Sequence, residues 1–136
     1  MDTIDKLCEL YNRKIIGNPQ WNAIRMALRG EERKGFAEII SRVYDVFDKM
    51  PKTYGQESTA DPVCHLHYFC GGFDWYITEK DCEGEQLQAF GLASMPPNYP
   101  ELGYINLVEL TQAGVELDLH FEPTVLSKIR RKLNGR

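Results

Sequence analysis

Between Thr53 and Pro123 the chain has almost no positive charge: Lys80 stands alone against twelve Asp and Glu, a net charge of -11. Proteins that grip a phosphate backbone do so with Lys and Arg, so that scarcity excludes this region as a nucleic-acid face. Other absences narrow the reading further. No run approaches the ~18 apolar residues a membrane span requires, and no basic segment followed by an apolar stretch opens the chain, so neither a signal peptide nor a membrane span is expected. A soluble, intracellular, cytoplasmic protein is expected. The four cysteines, Cys8, Cys64, Cys70 and Cys82, include no Cys-x-x-Cys pair, which removes the usual structural zinc signature; in a reducing compartment they read as thiols. There is no glycine-rich phosphate loop and no Gly-x-Ser-x-Gly elbow, so the common nucleotide-binding and serine-hydrolase signatures are missing.

What is present suits one domain. The 136 residues are 43% hydrophobic and 11% aromatic, enough to bury roughly two thirds of the unfolded surface. The net charge of -4 hides a division along the chain. Residues 1–52 carry ten Lys and Arg against eight Asp and Glu, and residues 124–136 carry five against none. The expected organisation is a helical part over residues 1–50, a sheet part over 61–123 and a basic C-terminal helix over 124–136, all within a single domain over 1–136.

Asp2 and Thr3 can cap a first helix carrying Ile4, Leu7, Cys8, Leu10 and Tyr11 at helical spacing. Asn18-Pro19 reads as an N-cap with proline in first helical position, opening a second helix that Gly30 ends. Phe36, Ile39, Ile40, Val43, Tyr44 and Phe47 repeat at three and four residues and predict the strongest helix, stopped by Pro51. After a polar connection, residues 63–70 alternate as one strand, with Cys64, Leu66, Tyr68 and Cys70 on one face. Gly71-Gly72 suits a tight hairpin, and residues 74–78 return as a second strand. Residues 86–93, 102–107 and 116–121 supply three more strands, interrupted by the proline-rich loop at 95–100 and a helical turn over 108–112. Helices first and strands afterwards predict an α+β fold, N-terminal helices packed on a mainly antiparallel sheet of about five strands, with a short C-terminal helix.

Four stretches, DWYITEKD (74–81), QAFGL (88–92), ELGYI (101–105) with Glu109-Leu110, and ELDLHFEP (116–123), resemble in that order an uncharacterised family, the domain of unknown function 2958. The resemblance spans residues 61 to 129. It implies cargo of plasmids, phages and integrative elements, often near antirestriction or large multidomain genes, and it brings no assigned activity and no functional residues.

Three kinds of chemistry are conceivable on these residues. His65 and His67 lie on one face of a strand, ~7 Å apart, and with His120 or Asp118 they could chelate zinc and build a metal-dependent hydrolase. Asp74, Glu79, Asp81, Glu116, Asp118 and Glu122 could hold magnesium, but Lys80 is the one cation in reach of a phosphate. Exposed aromatics rimmed by acids suit a protein interface. The reading adopted is a non-catalytic, protein-binding accessory factor of a mobile element without cofactor. Trp75, Tyr76, Asp74, Glu79, Asp81, Asp118 and Glu122 form its acidic docking face, and the partner is a basic, nucleic-acid-binding host or mobile-element protein, as in antirestriction or CRISPR inhibition. DNA binding by the basic third and last helices is a further alternative.

Overall fold

The computed structural model describes residues 1–55 and 59–134. Three helices come first: α1 (Thr3–Asn12), α2 (Asn18–Ala27) and α3 (Arg33–Lys49). Asp2 starts α1, its carboxylate accepting the Asp5 N–H at 2.9 Å, which satisfies one of the donors a helix start leaves open. The cap of α2 is Gly17, one residue earlier than the sequence suggested. A Cβ at Gly17 would lie 2.6 Å from the Thr111 carbonyl oxygen, so glycine is set here by close docking against α4 (Leu107–Gln112). Along α3 the inward positions Ile40, Val43 and Phe47 are buried.

Five antiparallel strands form the sheet, in the order β5 (Glu101–Ile105), β4 (Ala89–Ser94), β3 (Phe73–Glu79), β2 (Leu66–Cys70), β6 (Glu116–Leu117). The hairpin between β2 and β3 turns at Gly71, whose φ of +61° suits glycine. The predicted continuous strand over 63–70 is broken at His65, whose N–H bonds to Ile77 O at 2.8 Å. Residues before the break form β1 (Val63–Cys64), which pairs with β7 (Thr124–Val125) as a separate two-stranded ribbon. The break also shifts the phase. Cys64 packs with Tyr76 and Leu92, whereas Leu66 and Tyr68 pack with the N-terminal helices. The predicted last strand is shorter as well: only Glu116 and Leu117 belong to β6, because the chain turns from Asp118 onward.

Both faces of the sheet are covered. Leu66, Tyr68, Trp75, Ile77, Ala89 and Ile105 form one core with α1, α2 and α3. On the opposite face α5 (Leu126–Asn134) lays Leu126, Ile129 and Leu133 over Cys64, Tyr76 and Leu92. Asp61 fastens this helix, its carboxylate accepting the Ser127 N–H and hydroxyl at 2.9 and 2.7 Å. Those bonds hold the Asp61 carboxyl below the usual carboxylate range.

Burial pushes the Cys64 thiol up to about 12, reinforced by the Asp61 carboxylate. Since the thiolate is the nucleophile, only about one Cys64 in ten thousand is reactive at pH 8. Thiol alkylation followed by peptide mapping should therefore label the exposed Cys70 and Cys82 first and reach Cys64 only on unfolding. Labelling of Cys64 at the rate of Cys82 would contradict the packing of α5.

Candidate functional site

The predicted docking face is corrected by burial. Trp75, Tyr76, Asp74, Glu79 and Asp81 are 9, 1, 8, 6 and 5% exposed, so they cannot form an open partner surface. Their environments give the reason. Trp75 belongs to the helix-covered core and Tyr76 lies with the α5 residues. Asp81 organises the loop that follows it, accepting N–H bonds from Glu83, Leu87 and Gln88 at 2.9, 3.1 and 3.3 Å. Lys80 points to the end of α3 and donates to Phe47 O and Asp48 O at 2.7 and 2.9 Å, where helix carbonyls lack partners. Burial holds its ammonium below the usual lysine range. Of the seven predicted residues, Asp118 is half-buried and Glu122 is exposed.

Asp74 and Asp118 converge on His67. Its Nε2 lies 2.8 Å from Asp74 Oδ1 and its Nδ1 3.1 Å from Asp118 Oδ2. The imidazole stacks on Tyr76, ring centroids 4.5 Å apart and planes 8° apart. The cluster ties β2 to β3 and to the turn after β6, whose His120 N–H bonds Asp118 Oδ1 at 2.9 Å.

These contacts bear on zinc. A metal-bound imidazole offers one nitrogen to the ion, and both nitrogens of His67 already face carboxylates. His65 does not join it: half-buried, with burial lowering its pKa, it borders a hollow with Arg42, Lys49 and Pro123. His120 is exposed. Among the described residues no group of three or more His, Cys, Asp or Glu is placed to hold a metal ion. The His65, His67 and His120 arrangement thus does not fit zinc, and without a free ring nitrogen His67 is not set up as a general base.

The basic helices do not combine either. α3 and α5 pack on opposite faces of the sheet, and Arg42 is spent on the carbonyls of Leu119 and Phe121 at 2.6 and 3.2 Å.

Open space lies beside α5 instead. Phe90 pairs with Tyr104, and Leu92 with Leu102, so all four side chains share one face of β4 and β5. Leu92 is covered by α5. Phe90, Leu102 and Tyr104 border a cavity of about 500 Å³, closed by Tyr54, Thr59, Ala60 and Pro62 on one side and by Leu126 and Arg130 on the other. Tyr104 packs edge-on to Phe90 at 5.5 Å and its hydroxyl meets that of Tyr54 at 3.1 Å.

Glu79 reaches this cavity through an irregularity in β3. The register slips between Ile77 and Glu79, so Glu79 rather than Thr78 faces Phe90. Plain alternation from Ile77 would send Glu79 toward the N-terminal helices; the extra residue turns it to the α5 face. Its Oε2 is buried with no hydrogen-bond partner among the described residues. Sequence reasoning named Glu79 for another surface and missed Tyr54, Leu102, Tyr104 and Arg130 as its neighbours. The alternation of Leu102 and Tyr104 was the available signal, but a bulge leaves no mark in a hydrophobic pattern.

Fold and site together define an α+β domain whose antiparallel sheet is wrapped by helices on both faces and keeps an aromatic cavity lined by Glu79 near its edge. The family described as "Protein of unknown function (DUF2958)" matches residues 39–133, and the chain belongs to it. That match begins inside α3, so the family unit takes in α3's inward residues Ile40, Val43 and Phe47 as well as the sheet. No curated protein and no solved structure matches the chain. No helix among the described residues is long and apolar enough to cross a membrane.

Proposed function

We propose that the protein is a non-catalytic binding protein, and that it docks a basic segment of a partner protein on the β4–β5 half of the face that α5 leaves open. One observation carries the reading: Tyr54 and Tyr104 are each 57% exposed around the cavity, with Leu102 43% exposed beside them, and tyrosine is a residue type that anchors protein interfaces. The partner's sign follows from charge. Between residues 59 and 123 every exposed Asp, Glu, Lys or Arg described is acidic, while Lys80 is buried. Acidic charge of that excess attracts basic proteins and repels nucleic acid, and the exposed Lys128, Arg130, Arg131 and Lys132 of α5 oppose it on the side of the cavity that α5 borders. The company that the family resemblance implies, plasmids and phages, supports a nucleic-acid-binding host or mobile-element protein as partner, with antirestriction or CRISPR inhibition as the outcome.

Affinity capture from cells of the natural host tests this with the wild-type chain and a Leu102→Asp/Tyr104→Asp variant. A basic protein should be retained by the wild type, lost from the variant, and released as salt rises toward about 0.5 M, where surface charges are screened. Retention by both chains, indifferent to salt, would defeat the reading.

A further inference from the structure

We propose that the cavity is a subsite for one basic side chain, a lysine or arginine presented by the partner. This rests on the docking reading above and assigns the residue that selects the partner, Glu79. Its carboxyl is buried, 6% exposed, and lines the cavity, with no hydrogen-bond partner for Oε2 among the described residues. A buried polar atom without a partner is costly, and a donor brought into the cavity beside Glu79 would offset that cost. The bulge in β3 is what aims Glu79 there, so the strand departs from regular pairing at the residue that faces the cavity.

The chemistry of the walls selects the occupant. A neutral apolar group would fill the space between Phe90, Leu102 and Tyr104 and leave Oε2 as it is. An anion would meet the carboxyl directly. An ammonium or guanidinium would pair with the Glu79 carboxylate while its aliphatic stem and charge lie against the Phe90 and Tyr104 rings, which attract cations through their faces. Arg130 also lines the cavity, carried by α5 at an exposed position. It opposes an incoming cation, and removing it should strengthen binding.

The test titrates N-acetyl-arginine methylamide into the full chain and follows backbone amide resonances by NMR. Saturable shifts are expected at Thr78, Glu79, Phe90, Leu102 and Tyr104, with the lysine counterpart shifting the same set. The citrulline counterpart, equal in shape but uncharged, should bind at least about tenfold more weakly. Glu79→Gln should weaken arginine binding by a similar factor while melting at or above the wild-type temperature, because it removes a charge that folding must bury. Arg130→Ala should bind the arginine probe more tightly. Equal binding of citrulline, unchanged binding by Glu79→Gln, or loss of binding in Arg130→Ala would each overturn the subsite. If the arginine probe shifts none of these residues while partner capture still depends on Leu102 and Tyr104, the subsite is wrong and the docking surface stands; if capture is also indifferent to them, both fall.

Discussion

Gly91→Ala is expected to abolish the folded state or to lower its stability by more than about 4 kcal/mol, the range reserved for lesions a core cannot absorb. A Cβ built at Gly91 would lie 2.0 Å from Tyr76 O and 2.9 Å from Ile77 Cα. Both are backbone atoms of the neighbouring strand, so no rotamer change can relieve the clash; β3 and β4 would have to separate. These two strands form the centre of the sheet, with Tyr76 carrying the α5 core and Ile77 the opposite one. Separation there would disturb both layers and the slipped register that aims Glu79. Gly103 is the matched control: it lies on the neighbouring strand β5 with nothing within 4 Å of an added Cβ, so Gly103→Ala should be close to neutral. Urea denaturation followed by circular dichroism measures both. A Gly91→Ala protein within about 1 kcal/mol of wild type would show that the strands do not approach as described.

His67→Ala is expected to cost about 3 kcal/mol, which for a chain of this size lowers the melting temperature by roughly 10 °C. The loss has two parts. The imidazole leaves the Tyr76 ring it stacks on, and it leaves Asp74, whose side chain is 11% exposed, facing Asp118 without the group between them. Removing one partner of such a cluster costs more than the cluster contributes, because the remaining carboxylate keeps its desolvation penalty. Asp74→Asn in the His67→Ala background should therefore recover part of the loss. Thermal melts of the four proteins in this cycle decide it: additive losses would mean that His67 and Asp74 do not interact. Metal analysis of the same purified proteins checks the hydrolase alternative independently. Stoichiometric zinc in the wild type that disappears in His67→Ala would restore a metal role for His67.

The legible parts of the fold were those whose pattern is local. The spacing of Ile40, Val43 and Phe47 marked α3 and its buried stripe, and Gly71-Gly72 marked the β2–β3 turn. Leu126 and Ile129 marked α5, and the order of helices and strands marked an α+β protein. The misread parts depend on pairing and packing that a hydrophobic pattern does not record. Cys64 alternates correctly with Leu66 in the sequence, yet it joins the opposite core because β1 leaves the sheet to pair with β7, sixty residues away in the chain. Asp74, Glu79 and Asp81 read as a solvated acidic edge because charged residues usually are solvated. Each has instead a neighbour that alternation does not reveal: His67 across the hairpin for Asp74, the backbone of its own following loop for Asp81, the cavity wall for Glu79.

The amino-acid sequence by itself determined the α+β class, the main helices, the family and the charge division, since propensity, periodicity and composition are properties of a few neighbouring residues. Only the tertiary structure decided which charges meet solvent. The covering of the second sheet face by α5 turned Tyr76 into core, as the N-terminal helices did Trp75 on the other face. The slip in β3 placed one acid of the predicted docking hairpin, Glu79, against an aromatic cavity that no spacing rule announces, because burial is decided by what packs above a strand and register by what pairs beside it.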